Sequence, residues 1–342
     1  MKIGNRKIGG KNPPLIIPEI GINHNGSLDR AIHIADSAIK SGAEIIKHQT
    51  HIFNREMSVE AKNIIPGNSN KNIYEIIKNA QLSYEQEKKL CQYIRSKKII
   101  FISTPFCKEA VDRLMSFNVP AFKIGSGECN NYPLISYIAK KRKPIILSTG
   151  MNTIKSISLS VKILKKFKVD FALLHCTNLY PTPSHLVRLN AITEMKKIFK
   201  GIPVGFSDHT TDIYSCLASV SLGASIIEKH FVDSKKINGP DVSCSMDPVQ
   251  LKNLIEGSKI IHKSLSGKKI PPKEENVTMK FAFASVSATK DIKKGERLTE
   301  QNIFTIRPAN GFYKIKDFYK LIGKKVAKDI KIGMQLKKND VI

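Results

Sequence analysis

The chain has 342 residues, carries 56 Lys and Arg against 29 Asp and Glu, and has a formal charge of +27 at pH 7. At 41% hydrophobic it can bury one large core, or a large one and a small one. No apolar run approaches the ~18–20 residues that a bilayer-spanning helix needs, and the N-terminal stretch lacks an apolar signal-like core, so no membrane and a cytoplasmic location are expected.

A charge this large raises the question of a nucleic-acid partner. The lysines, however, are spread along the chain at positions that read as outer helix faces, such as Lys88-Lys89, Lys140-Lys141 and Lys196-Lys197. Aromatics are 7% and tryptophan is absent, so no base-stacking surface is indicated. No nucleic acid is expected, although the positive field favours small anionic substrates. Six scattered cysteines without a Cys-x-x-Cys pair read as reduced structural thiols.

Residues 1–14 form a basic, Gly/Pro-rich lead-in. A rhythm of apolar strand, polar strand end and helix then begins. The first strand, Leu15 to Pro18, ends on Glu19, with Asn23 and His24 beyond it. Ser27 caps a helix running to about Lys40. Ala43 to Ile46 is the second strand, ending on Lys47-His48-Gln49-Thr50-His51, and a polar insertion from Ile52 to Asn72 follows. Insertions of this kind on a compact unit are commonly functional loops. Further strands end on Ser103-Thr104-Pro105, on Lys123 to Glu128, on Ser148-Thr149-Gly150 and on His175-Cys176-Thr177-Asn178. The seventh and eighth, Ile202–Phe206 and Ser225–Ile227, run out into Ser207-Asp208-His209 and Glu228-Lys229-His230. A last amphipathic helix spans Pro248 to about Ser264.

Eight strands alternating with helices predict an α/β fold of the closed (β/α)8, or TIM-barrel, type, with an open doubly wound sheet as the alternative. The tail differs. Lys290-Asp291-Ile292-Lys293-Lys294-Gly295 is nearly repeated as Lys328-Asp329-Ile330-Lys331-Ile332-Gly333. This predicts a small, pseudo-symmetric, mainly β domain, too small to be robust alone and expected to dock on something. The expected division is a barrel over 1–267, a Lys/Pro/Glu-rich linker over 268–281 and the small domain over 282–342.

In a barrel the strand ends share one rim, where catalytic groups sit. Collected there are Glu19, Asn23, Lys47, Gln49, Thr104, Lys123, Ser126, Glu128, Ser148, Thr149, Asn178, Asp208, His209 and His230. Two lysines with several hydroxyls suit a phosphate or carboxylate. His209 and His230, both ending strands, suit a divalent metal, and the carboxylates suit proton transfer or sugar hydroxyls. A lysine that finishes a buried strand needs an anion to balance it, which separates Lys47 and Lys123 from surface lysines. The blander alternatives are satisfied core histidines for His209 and His230, a helix-capping role for Ser148 and Thr149, and structural or supporting roles for His24, His48 and His51 in loops. His175 is expected to be a satisfied core histidine. Cys176 ends an apolar run without a base beside it in sequence, which argues against a nucleophile. Spacing points to a metal-assisted reaction of an anionic small molecule and does not name it.

The motifs Pro18-Glu19-Ile20-Gly21-Ile22-Asn23-His24-Asn25-Gly26-Ser27, Lys47-His48-Gln49-Thr50, Lys123-Ile124-Gly125-Ser126-Gly127-Glu128, His175-Cys176-Thr177-Asn178, Phe206-Ser207-Asp208-His209 and Glu228-Lys229-His230-Phe231 resemble the N-acetylneuraminate (sialic acid) synthase family. The match is collinear over nearly the whole chain, and the tail is similar to that family's antifreeze-like (SAF) domain. Ile65-Pro66-Gly67-Asn68 and Gly127 to Pro133 resemble the bacterial branch that uses N-acetylmannosamine. The resemblance implies condensation of phosphoenolpyruvate with N-acetylmannosamine, assisted by Mn2+ or Mg2+. It also implies a homodimer in which the tail of one subunit lies over the partner's barrel. Carried onto this chain, His209 and His230 would hold the metal. Lys47, Thr104, Lys123, Ser126, Ser148 and Asn178 would bind phosphoenolpyruvate. Glu19, Asn68, Tyr180 and Asp241 would hold the open-chain sugar, with Gln49 among the substrate-binding residues and Arg307 of the neighbouring subunit on the N-acetyl group. Glu19 and Glu128 would handle protons. A legionaminate or pseudaminate synthase, taking a diacetamido sugar, is the alternative within the same family.

Overall fold

The computed structural model describes residues 1–67 and 69–342, and the chain divides into two units, Met1–Ser266 and Gly267–Ile342. In the first unit eight parallel strands close into a barrel: β1 Leu15–Glu19, β2 Ile45–Thr50, β3 Ile100–Pro105, β4 Phe122–Ile124, β5 Ile145–Ser148, β6 Phe171–Cys176, β7 Val204–Asp208 and β8 Ile226–His230. β8 pairs with β1 in register, Ile226 opposite Leu15 and His230 opposite Glu19, which completes the ring. The expected closed (β/α)8 barrel is therefore present, and no open sheet edge remains among these strands.

Alternation along each strand sorts the side chains. Leu15, Ile17, Ile45, Ile102, Ala121, Ile146, Ala172, Leu174 and Ile226 fill the barrel interior toward the amino ends of the strands. The opposite-facing set, including Ile16, Ile46, Phe101, Phe122, Leu173 and Phe206, packs with the helix layer in the larger core. The lead-in is more than a tail. Lys2–Ile3 and Arg6–Lys7 pair as a short antiparallel hairpin, and its Ile3 and Ile8 are buried against the interior cluster. The low apolar content of residues 1–14 hid this plug, because only two side chains are needed to fill it.

The strands run one to four residues beyond the expected apolar runs, so that polar residues expected to follow them, among them Lys47, Ser148 and His230, belong to the strands themselves. The helices start where the sequence supplies caps. Ser27 Oγ accepts from Arg30 N at 3.2 Å at the head of Leu28–Lys40, and Asp247 with Gln250 forms a capping box at the head of Pro248–Ser264. No helix among the described residues is long and apolar enough to cross a membrane.

The second unit holds a two-stranded antiparallel sheet, β9 Ser285–Ala288 with β10 Ile303–Ile306, around a separate small core of Val286, Leu298, Ile303, Leu321 and Val326. The near-repeat is visible as a reciprocal contact: Ile292 N donates to Ile330 O and Ile330 N to Ile292 O, both at 2.8 Å. Lys293 pairs with Asp329 and Lys331 with Asp291 in the same mirrored way. Residues 268–281, expected as linker, include a helix, Asn276–Ala282.

Candidate active site

The carboxyl ends of the strands surround a cavity of about 360 Å3. Two residues per strand step keep one face inward, so each chemical group can be traced to its place in the alternation. On β2, Lys47 and Gln49 follow Ile45 inward, whereas His48 and Thr50 turn to the helix layer. On β8, Glu228 and His230 follow Ile226, and Lys229 turns away.

Of the predicted site residues, Lys47, Gln49, Thr104, Lys123, Ser126, Glu128, Ser148, Asn178, Tyr180, His209, His230 and Asp241 all line this one cavity. Glu19 stands behind it. Its side chain is wholly buried, accepts from Gly21 N at 2.5 Å and is ion-paired with Lys47. A side chain at Gly21 would collide with Glu19 and Gln49, which accounts for the glycine. Asn68 lies outside the described residues. Arg307 is exposed in the second unit, directly after β10.

Besides Glu19, three residues expected at the mouth do not line the cavity. Asp208 alternates with Ser207 and His209 and so faces outward, where it accepts from Lys229 Nζ at 2.6 Å. Thr149 donates to Leu174 O at 2.9 Å, away from the cavity. Asn23 donates to Phe231 O and Ser245 Oγ, tying the loops after β1 and β8 together. His48, expected in a loop, belongs to β2, with its Nδ1 3.3 Å from Glu87 and its Nε2 3.1 Å from His24. His175 is buried and hydrogen-bonds Val187 O at 2.7 Å, as a satisfied core histidine should.

Sequence reasoning did not single out Glu228, the ionic centre of the floor. Its Oε1 lies 3.4 Å from Lys123 Nζ and 3.8 Å from Lys47 Nζ, and it accepts from Ser207 Oγ at 3.2 Å. Burial alone would raise this carboxyl, but Lys123 and Lys47 outweigh it and hold it below the usual carboxylate range. The signal was available: Glu228 sits two residues before His230 and must share its face. Burial pushes the Lys47 ammonium down to about 7 despite Glu228 and Asp241 opposing the shift.

Around these charges, polar atoms lack partners. Thr104 Oγ1 and Ser148 Oγ are buried with no hydrogen bond among the described residues. Ser126 Oγ accepts from Gly150 N at 3.0 Å, and a side chain at Gly150 would collide with Asn178 and Ser126. Two ammonium groups with unspent hydroxyls make a receptor for an oxyanion.

The rings of His209 and His230 lie 5.4 Å apart, and Tyr180 packs against His209 at 4.1 Å between centroids. His209 Nδ1 donates to Thr177 O at 2.9 Å, which fixes its orientation and leaves Nε2 available. Burial pushes its pKa down to about 4. Burial also pushes His230 well below its ordinary value, helped by the cations Lys47, Lys229 and Lys123. Its Nδ1 has no hydrogen-bond partner among the described residues and lies 3.6 Å from Asp241. Two neutral, buried imidazoles with an orphaned nitrogen fit a divalent ion with positions left open for oxygen ligands. No group of three or more His, Cys, Asp or Glu residues forms a metal cage among the described residues. Cys176 is a poor nucleophile here, because burial raises its thiol to about 11.

Burial sets the proton carriers. The Glu128 carboxyl is raised to about 7 by burial, with Glu56 adding to the shift and its own backbone N–H and Lys123 opposing it. Asp241 is likewise raised to about 7 by burial, opposed by Lys47. Groups that titrate near neutrality beside an oxyanion receptor are suited to general acid–base work.

A closed parallel barrel with such a cavity at its carboxyl rim defines a (β/α)8 enzyme. Its family follows from comparison: residues 34–270 match the NeuB family model and residues 283–342 the SAF domain. The chain belongs to the NeuB family of sugar acid synthases. It is 42% identical over 313 residues to an uncharacterized protein of Methanocaldococcus jannaschii, covering 91% of this chain and 90% of that one. It is 38% identical over 333 residues to N,N'-diacetyllegionaminic acid synthase of Campylobacter jejuni, covering 93% and 97%. The solved N-acetylneuraminic acid (sialic acid) synthetase of Leptospira borgpetersenii is similar at a TM-score of 0.75 and 33% identity, over 82% of this chain and 94% of that one.

Proposed function

We propose that the chain is an N-acetylneuraminate synthase, which condenses phosphoenolpyruvate with N-acetylmannosamine and water to give N-acetylneuraminate and phosphate. The observation that carries this reading is the meeting of Lys47 and Lys123, the unspent hydroxyls of Thr104 and Ser148, and the His209–His230 pair in one cavity.

In this reading Lys47 and Lys123 neutralise the phosphate and carboxylate of phosphoenolpyruvate, while Thr104, Ser126, Ser148 and Asn178 fix its oxygens by hydrogen bonds. Positioning of this kind removes orientational freedom before reaction. A divalent ion, Mn2+ or Mg2+, held by His209 and His230 would supply Lewis acidity to the aldehyde oxygen of the open-chain sugar. The methylene carbon of phosphoenolpyruvate forms the new C–C bond with the aldehyde carbon. Water adds at the carbon that bears the phosphate, and phosphate then leaves with the bridging oxygen. Glu128, which lines the cavity and titrates near neutrality, would carry a proton between that water and the departing groups. Glu19 holds Lys47 from behind and so sets the position of the ammonium. Gln49, Tyr180 and Asp241, with Asn68, bind the sugar.

The proposed assembly is a cytoplasmic homodimer in which Arg307 of one tail contacts the N-acetyl group bound by the other subunit. Arg307 is exposed in its own unit, so Arg307→Ala is expected to impair sugar use while leaving the melting temperature in place.

The deciding test is incubation with Mn2+, phosphoenolpyruvate and a panel of acetamido sugars in 18O-labelled water. A 2-keto sugar acid carrying the label, with unlabelled phosphate, is expected. Absence of any keto acid product would sink the reading. A diacetamido sugar is a second candidate, favoured by the 38% identity to the Campylobacter jejuni legionaminic acid enzyme, and relative turnover on the two sugars decides between them.

A further inference from the structure

The insertion after β2 contributes a wall to the cavity that the oxyanion receptor and the imidazole pair do not use. It carries a short helix, Phe53–Glu56, and leads into a second helix, Ile73–Ala80. Glu56, Met57, Ile73 and Ile77 from this segment line the cavity, next to His51 and Phe106.

Glu56 is placed with unusual care for a residue on an insertion. Its side chain is only 3% exposed, and Oε1 is 2.8 Å from His51 Nδ1. The His51 ring lies flat on Phe106, with centroids 4.5 Å apart and planes 9° from parallel. Its other nitrogen, Nε2, is 2.9 Å from Gln49 Oε1, so one imidazole fixes both Glu56 and Gln49. The second carboxylate oxygen, Oε2, is buried and has no hydrogen-bond partner among the described residues. A buried carboxylate oxygen left open is costly unless a donor fills it. Glu56 itself lines the cavity together with the apolar side chains of Met57, Ile73 and Ile77. That surface suits a ligand segment with an O–H or N–H donor next to C–H groups, as in the chain of an acetamido sugar. Phosphoenolpyruvate at neutral pH has no such donor, and a carboxylate repels its anionic groups.

We propose that Glu56, held in place by His51, is a specificity-determining acceptor for a hydroxyl or amide N–H on the part of the sugar remote from its aldehyde. The proposal rests on the function argued above. It adds a residue of the insertion to sugar selection, with His51 as a positioning residue that acts through Glu56 and Gln49.

The test is steady-state kinetics of Glu56→Gln and His51→Ala with the parent acetamido sugar and analogues singly deoxygenated at each remote carbon. Glu56→Gln is isosteric, and Glu56→Asp, which keeps the charge on a shorter arm, serves as the second variant. For Glu56→Gln, kcat/KM for the sugar is expected to fall roughly ten- to a hundred-fold, the range of a hydrogen bond to a charged group. The KM for phosphoenolpyruvate and the melting temperature stay near wild type. Wild type should reject one analogue by a similar factor, and Glu56→Gln should lose that discrimination. The losses from Glu56→Gln and His51→Ala should combine to less than their product, as expected for residues acting together. An active wild type whose sugar kinetics survive Glu56→Gln, or full discrimination retained against every analogue, overturns the role of Glu56 alone. A wild type that turns over no acetamido sugar fails the function and the inference together.

Discussion

The Glu228 carboxylate lies 3.4 Å from the Lys123 ammonium on the cavity floor, with Lys47 3.8 Å from the same oxygen. A pair of buried ammonium groups needs compensation before any anion arrives, and Glu228, with Glu19 behind Lys47, supplies it. The receptor is therefore held in shape by carboxylates that an incoming oxyanion can relieve.

Glu228→Gln removes that charge while keeping the shape of the side chain. Breaking a buried pair typically costs ~3–5 kcal/mol, so the melting temperature of the free protein should fall clearly. Saturating inorganic phosphate or phosphoenolpyruvate should restore more of the loss in the variant than it adds to wild type. Equal ligand-induced shifts in both proteins, measured by thermal denaturation, would show that Glu228 does not share the two lysines with the substrate.

The two imidazoles make a separate prediction. His230 Nδ1 makes no hydrogen bond among the described residues, and burial keeps the ring neutral, so its removal forfeits little protein–protein bonding. His230→Ala and His209→Ala should abolish calorimetric Mn2+ binding with only a modest loss of stability. Retained Mn2+ affinity in both variants would remove the proposed metal site.

How far the sequence could carry this site depends on which physical signal each residue leaves. The barrel was legible because each strand is a short apolar run that stops on polar residues, and Lys47, Lys123, His209 and His230 were legible because charge or imidazole at such a stop is unusual. Asp208 was misplaced at the mouth because adjacency to a strand end was used without the alternation: in β7 the inward residues are Gly205 and Ser207, with His209 following. Glu228 was passed over for the same reason. Glu56 left no periodic signal at all, since it lies on a one-turn helix inside an insertion, and only the fold brings it to His51. The hairpin plug was equally silent, because Ile3 and Ile8 gain their meaning only once the barrel has an open end to close.

Glu128 gives a pH dependence with a definite sign. Its carboxyl is raised from the usual 4.5 to about 7, chiefly by burial, so the folded state holds this proton more tightly than the unfolded chain does. Such a group contributes stability that is fully present below about pH 4.5 and is lost as pH rises through about 7. Relative to wild type, Glu128→Gln should therefore gain stability at alkaline pH, where wild type must bury a charge. If Glu128 also carries the proton in turnover, the same variant should flatten the limb of the kcat profile that turns near neutrality. A parallel stability difference at acid and alkaline pH would contradict the assignment.

Asp208, expected from sequence at the mouth, instead pairs with Lys229 next to both imidazoles. Lys229 Nζ donates to Asp208 Oδ2 and to Thr210 O, each at 2.6 Å, so the ends of β7 and β8 are joined where His209 and His230 emerge. Lys229→Met should leave Asp208 as an uncompensated buried carboxylate and cost ~3–5 kcal/mol. The double variant Asp208→Asn with Lys229→Met removes both charges and should recover much of that loss, because neither ion is then left unpaired. Mn2+ affinity separates a purely structural pair from one that also sets imidazole spacing. Recovery of the melting temperature without recovery of Mn2+ binding is expected if the clamp fixes the two rings, and recovery of both would limit the pair to holding the barrel closed.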